Sequence, residues 1–278
     1  MNEPGSWDGV PSMTNLAQSG GGGHRFGIAC GTLIAWVAVT VFGAGVLDEP
    51  VELEDIATQG IAWQIALAGV LLVCVIAWRG WRDLGFRAPA PGTLKLLWLP
   101  ALIVLAMFGL AAALGLPAPG VMLLVLVNTL LVGFSEEVMF RGVLFGALRQ
   151  RMRPWPAILW TTGAFGLVHV LNGFLTGSFV LAMMQALAAF CTGLMLMAIL
   201  LRTGSLWVAI LVHALWDCAT FLVVVSAGAM SDFKELQAAG GIELTPGLLV
   251  LPLLIVLPNL IYGLWLLRGS RVEAVPRA

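Results

Sequence analysis

Eight apolar runs separated by short polar breaks constrain this chain more than any other feature. They cover residues 26–47, 61–78, 94–114, 120–148, 155–171, 178–201, 205–227 and 246–267. About 20 apolar residues in helical form cross roughly 30 Å of hydrocarbon, where every backbone N–H and C=O must find its partner inside the segment. The runs therefore predict an all-α, polytopic membrane bundle of about eight transmembrane helices. Only 10% of the residues are charged, against about 25% in soluble domains, so a water-facing fold of this size is excluded.

The polar breaks orient the bundle. Arg25 precedes the first run; Arg79, Arg82, Arg87 and Lys95 surround the second connection; Arg149, Arg151 and Arg153 follow the fourth run, Arg202 the sixth, and Arg268, Arg271 and Arg277 the eighth. Asp48, Glu49, Glu52, Glu54, Asp55, Asp232, Glu235 and Glu243 lie in the alternate breaks against a single Lys234. Basic residues concentrate on the cytoplasmic side, so both termini are expected there. Residues 1–24, polar and ending near the run Gly20 to Gly23, read as a flexible tail; 25–270 read as one membrane-embedded domain and 271–278 as a short cytoplasmic tail. The first run exceeds the roughly 7–15 residues of a signal-peptide core and is expected to remain as a span. A net charge of −1 with no basic stripe gives no reason to expect nucleic acid. Cys30, Cys74, Cys191 and Cys218 fall in apolar runs without metal-type spacing and read as small packing residues.

Few ionisable groups remain inside the runs: Glu136, Glu137 and Arg141 in the fourth, His169 in the fifth, His213 and Asp217 in the seventh. Charge in hydrocarbon costs several kcal/mol, so such residues face the bundle interior and mark a functional site. Counted from the cytoplasmic ends at about 1.5 Å per residue, Glu136 and His169 both lie roughly 21 Å deep. Asp217 lies about 18 Å deep and His213 about 12 Å. Glu137 and Arg141 stand four apart in the acid-first order that suits an ion pair, and Phe165–His169 and His213–Asp217 share that spacing. Three helices can thus converge on one polar pocket.

The set suits hydrolysis. A carboxylate held out of bulk water is a stronger base toward water, a nearby His can share or relay the proton, and a second His can donate to the oxyanion formed at a peptide carbonyl. Glu136, His169 and His213 are equally the residue types of a zinc site with an open position for water. At this stage zinc is possible and no cofactor is firmly implied.

The motifs resemble those of the CPBP family of intramembrane endopeptidases (CAAX protease and bacteriocin-processing), which includes the Ras-converting type of CAAX prenyl endopeptidase. The family's EExxxR is similar to Glu136-Glu137-Val-Met-Phe-Arg141, its FxxxH to Phe165-Gly-Leu-Val-His169, and its HxxxN or HxxxD to His213-Ala-Leu-Trp-Asp217; Leu-Gly-Phe-Arg at 84–87 resembles a shorter landmark. The likeness spans roughly 80–220, with a protease core expected over about 80–227. It implies a glutamate-type endopeptidase, historically classed with metallopeptidases, acting on a membrane-associated or prenylated CAAX-type protein or peptide. It also implies that Glu136 and His169 activate water, that His213 and residue 217 stabilise the oxyanion, and that Glu137, Arg141 and Phe165 support them. Asp217 stands where many relatives carry Asn, and an ionised Asp cannot donate a hydrogen bond; orienting His213 is its other possible role. The resemblance, through the family's bacterial breadth, implies a bacterial cytoplasmic membrane as the expected location.

Set against these readings are plainer ones. Glu136, Glu137 and Arg141 could clamp helices together, and His169, His213 and Asp217 could be interhelical glue. A non-catalytic scaffold or bacteriocin-immunity protein would keep the fold without turnover. A proton-coupled transporter also uses mid-membrane Glu, His and Arg, but repeated halves with broken helices are not evident beyond a Leu-Val-His tripeptide at 167–169 and 211–213.

Overall fold

In the computed structural model, residues 22–44, 57–228 and 246–268 are described, and among them there is no strand. Each apolar run forms a helix. The helices are α1 (Gly22–Gly43), α2 (Trp63–Arg79), α3 (Leu94–Leu114, opening with a 3-10 turn), α4 (Pro119–Arg149), α5 (Pro154–Thr176), α6 (Phe179–Thr203), α7 (Leu206–Gly228) and α8 (Pro246–Leu267). Among the described residues six are long and apolar enough to cross a membrane: α1, α3, α4, α5, α6 and α7. The apolar segments Trp63–Arg79 and Leu254–Leu267 are shorter. The protein is an integral membrane protein with an all-helical bundle. The acidic breaks at 48–55 and 232–243, like residues 1–21 and 271–278, lie outside the described residues, while α1 begins at Gly22, inside the segment read as a tail.

Local chemistry explains where helices start and stop. Pro119 and Pro154 sit in the first turns of α4 and α5, where the missing N–H has no helical partner to lose. α2 and α6 end at Gly80 and Gly204, both left-handed (φ +63° and +67°), a conformation that lets the following amides turn back onto the last carbonyls. Besides the 3-10 opening of α3, two helices among the described residues depart from α geometry. In α4, Val138–Leu144 widens into a π-helical turn, and all seven of its residues are buried. In α5, the α-helix stops at Val168 and a 3-10 turn, His169–Leu171, leads into the short helix Asn172–Thr176.

One end of the bundle gathers the arginines. Arg25 of α1 makes a two-pronged ion pair with Asp83, 2.6 and 3.0 Å, and its guanidinium lies over Trp81. Arg151 stacks on Phe26. The 84–87 segment is pinned to the α6–α7 turn: Leu206 N–H donates to Gly85 O, Arg87 Nε donates to Gly204 O, and Ser205 Oγ donates to Arg87 O. At the other end, buried Asn128 of α4 accepts from Ala62 N–H and donates to Ala57 O and Gly60 O, which closes the backbone leading into α2.

Between these ends, glycines bring the helices together. A Cβ on Gly133 would lie 2.9 Å from Ile210 O and 3.1 Å from Ala214, so α4 and α7 touch backbone to backbone beside Glu136 and His213. A Cβ on Gly166 would lie 2.9 Å from Ala186 O, which marks the same intimacy between α5 and α6. Small residues serve this purpose in membranes because lipid tails compete for any looser apolar contact.

Candidate active site

Glu136 and Glu137 are neighbours on α4, so about 100° of helix rotation separates their side chains and they cannot face the same group in the same way. The structure divides them. Glu137 points inward, with 0% of its side chain exposed; its Oε1 lies 3.0 Å from Arg141 Nη1 and 2.8 Å from His213 Nδ1. Glu136 retains 14% exposure, and its Oε2 has no hydrogen-bond partner among the described residues, the His213 Nε2 at 3.7 Å being an ionic approach only. It lies within electrostatic reach of His169, His213, Asp217 and Glu137.

Arg141 occupies the π-helical turn and is fully buried by three surfaces. Its Nη1 meets Glu137, its Nη2 donates to Gly193 O on α6 at 3.1 Å, and its guanidinium carbon lies 4.0 Å from the centre of the Phe165 ring. The Arg141–Glu137 approach has the distance of a salt bridge without the angle of a hydrogen bond, since Nη1 lacks a hydrogen-bond partner among the described residues. π-helical turns recur at functional sites because the widened turn re-aims side chains that a regular helix would carry elsewhere.

Phe165 stands between the two histidines, edge-on to His169 at 5.0 Å and to His213 at 5.8 Å, and backed by Phe140 at 5.2 Å. His169 Nδ1 lies 2.8 Å from Phe165 O. A carbonyl only accepts, so Nδ1 carries the proton in this contact and Nε2 keeps its lone pair in the neutral ring. The same logic applied to His213 puts a proton on each ring nitrogen, Nδ1 facing Glu137 and Nε2 facing Asp217 Oδ2 at 3.3 Å and Glu136 Oε2 at 3.7 Å. Asp217 is more open than Glu136 or His213, at 26% exposure against 14% and 6%. The group therefore grades from a sealed Glu137–Arg141 pair, through His213, to Glu136 and Asp217 at the accessible side.

Contacts thus join Glu136, Glu137, Arg141, His213 and Asp217 directly, with His169 brought in through Phe165. All three spacing-four pairs are in contact, and Phe165 holds His169 through its backbone carbonyl as well as its ring. One link went unread in the sequence: Glu137 anchors His213 in addition to pairing with Arg141. Three supporting residues were missed altogether. Gly193 accepts from Arg141; Trp36 of α1 donates Nε1–H to buried Ser135 Oγ at 2.8 Å; and the Trp36 ring packs edge-on against Phe140 at 5.6 Å. A Gly, a Ser and a Trp in apolar helices carry no charge signal, and only their neighbours reveal them.

A zinc ion on Glu136, His169 and His213 does not fit this arrangement. Among the described residues no three His, Cys, Asp or Glu side chains converge as a metal-ligand set. His213 Nε2, the nitrogen left once Nδ1 meets Glu137, faces two carboxylates, which suits a donor rather than a ligand.

Residues 118–219, which contain every one of these side chains except Trp36, match the sequence model of the family described as type II CAAX prenyl endopeptidase Rce1-like. The matched stretch is similar to the domain of CPBP-family intramembrane proteases, and that likeness indicates a peptidase. No curated protein and no solved structure matches it. The match stops short of α1, α2, α3 and α8, yet the matched stretch uses α1 as a wall: Trp36 packs on Phe140 and donates to Ser135.

Proposed function

We propose that the protein cleaves a peptide bond of a membrane-associated or prenylated CAAX-type protein or peptide with a water molecule activated by Glu136 and His169. One observation carries this reading: of two adjacent carboxylates, Glu137 is sealed with its Oε1 shared between Arg141 and His213, while Glu136 keeps 14% of its side chain exposed and meets His213 Nε2 only at 3.7 Å. An untied carboxylate in a cavity poor in water is a competent general base. Glu136 takes a proton from water as the water oxygen attacks the carbonyl carbon, and the lone pair of His169 Nε2 shares that proton. The oxyanion accepts a hydrogen bond from His213 Nε2–H and from residue 217 when that residue can donate. As the C–N bond breaks, the shared proton passes to the leaving amine and the carboxylate is restored. Glu137, with its charge balanced by Arg141, holds the His213 ring by Nδ1, and Phe165 fixes the spacing between the two histidines. No step passes through a metal.

In this reading the bundle has eight spans with both termini in the cytoplasm of a bacterium. A single domain covers 25–270 with its protease core over about 80–227, and the clustered arginines support that orientation. The decisive experiment reconstitutes wild type and Glu136→Gln in liposomes with prenylated CAAX peptides and a pool of membrane proteins, and reads new termini by mass spectrometry. Cleavage by wild type alone is the expected result. Equal cleavage by both overturns the mechanism, and cleavage by neither, with both folded, favours a non-catalytic immunity or scaffold role.

A further inference from the structure

We propose that Gly193 of α6 is a positioning residue of the active site, acting through Arg141 and Phe165; the inference rests on the hydrolytic reading above. Gly193 lies well inside a 25-residue helix, where glycine is less favourable than alanine. The local packing explains the cost. A Cβ built on Gly193 would sit 2.8 Å from Phe165 Cδ1 and 2.9 Å from Arg141 Nη2, closer than real Cβ contacts come. The space a side chain would fill is where the guanidinium and the ring meet.

Three features make this a functional seat rather than a general helix contact. Arg141 Nη2 donates to Gly193 O itself, so the helix carbonyl spends a second lone pair outward, and a side chain on the same residue would crowd that approach. Neither displaced group has slack: Arg141 is held by Glu137 at 3.0 Å, and the Phe165 ring is wedged against Phe140, His169 and His213. Finally, each group leads to a different half of the chemistry. Phe165 carries His169 on its carbonyl, while Arg141 balances Glu137, which holds His213. A shift of a few tenths of an ångström at residue 193 is therefore delivered to both histidines.

The test is Gly193→Ala beside Gly163→Ala, a control on α5 whose added methyl meets nothing within 4 Å. Steady-state cleavage and thermal unfolding are measured for each in liposomes or detergent. Gly193→Ala is expected to lower kcat by roughly 10–100-fold with KM nearly unchanged, the signature of misplaced catalytic groups with substrate binding intact. Gly163→Ala should match wild type. Phe165→Leu supplies the second arm, because it removes the ring that the new methyl strikes. Phe165→Leu alone loses activity, but adding Gly193→Ala to it should cost less than about tenfold more, since the ring contact is gone and only the contact with Arg141 Nη2 remains. If Gly193→Ala alone fails to fold, that background decides the matter: the double variant must fold, and a further tenfold loss there overturns the proposal. An active wild type, an inactive Glu136→Gln and a wild-type Gly193→Ala would refute this inference alone. Equal activity of wild type and Glu136→Gln would instead refute the hydrolytic reading on which it rests.

Discussion

Replacing Arg141 by Met tests the claim that the sealed Glu137–Arg141 pair is the support on which the reactive groups stand. Methionine is long and flexible enough to fill much of the space, but it removes the 3.0 Å approach to Glu137, the 3.1 Å bond to Gly193 O and the guanidinium lying 4.0 Å over Phe165. What remains is a carboxylate with no exposed surface whose one close partner is His213 Nδ1 at 2.8 Å. Breaking a buried ion pair from one side costs about 3–5 kcal/mol, because the surviving charge stays buried without compensation. The lost stacking adds up to about 2 kcal/mol where the cation is desolvated. The two terms overlap, and His213 offsets part of the first, so Arg141→Met should destabilise by about 3–5 kcal/mol.

The second half of the argument is a rescue. Adding Glu137→Gln removes the stranded charge, while the amide oxygen still accepts from His213 Nδ1–H. Arg141→Met with Glu137→Gln should therefore regain most of the lost stability, ending within about 1–2 kcal/mol of wild type. Activity should stay at least about a hundredfold down in both variants, because neither re-seats Phe165. Equilibrium unfolding in mixed detergent–SDS micelles gives the stabilities, and the liposome cleavage assay gives the rates. An Arg141→Met protein as stable as wild type, or a double variant less stable than the single, would refute the reasoning.

Asp217→Asn should retain or exceed wild-type turnover, since Asn keeps an acceptor for His213 Nε2 at the 3.3 Å contact and gains a donor for the oxyanion; a hundredfold loss in kcat would show that the carboxylate charge on His213 is what matters. Cleavage should survive phenanthroline after extended dialysis, because the donor set does not converge on one point; loss restored by added zinc would contradict that conclusion. Ser135→Ala leaves the buried Trp36 Nε1–H without its acceptor and should cost about 1–3 kcal/mol in unfolding free energy. Unchanged stability would remove α1 from the supports of the site.

What could be read from the sequence follows from what is expensive in a bilayer. Glu136, Glu137, Arg141, His169, His213 and Asp217 stood out because ionisable groups are rare in apolar helices, and spacing four already paired Phe165 with His169 and His213 with Asp217. Helix ends were legible to within a few residues from the apolar runs, 61–78 beside Trp63–Arg79 and 178–201 beside Phe179–Thr203. The π-helical turn at Val138–Leu144 was not, because no residue there demands it: Gly142 weakens an α-helix without specifying a wider turn. Nor was the surrounding shell. Gly133, Gly193, Trp36 and Phe140 belong to the ordinary composition of membrane helices, and their part in the site depends on which helices become neighbours.

The adjacent glutamates show how the two kinds of information meet. Helical geometry alone requires that Glu136 and Glu137 diverge by about 100°, so the pair must serve two different surroundings. Which of them becomes the sealed partner is decided by where α7 lies around α4. Gly133 sets that azimuth by letting the Ile210 and Ala214 backbone come within about one atomic contact of α4, on the side where His213 can reach Glu137. Arg141, one turn on, is then drawn to the same sealed side, and Glu136 is left facing the open side with Asp217. A larger residue at 133 would push α7 outward and loosen the grip of Glu137 on His213. The division of labour between the two carboxylates thus rests on a glycine one turn earlier in the helix.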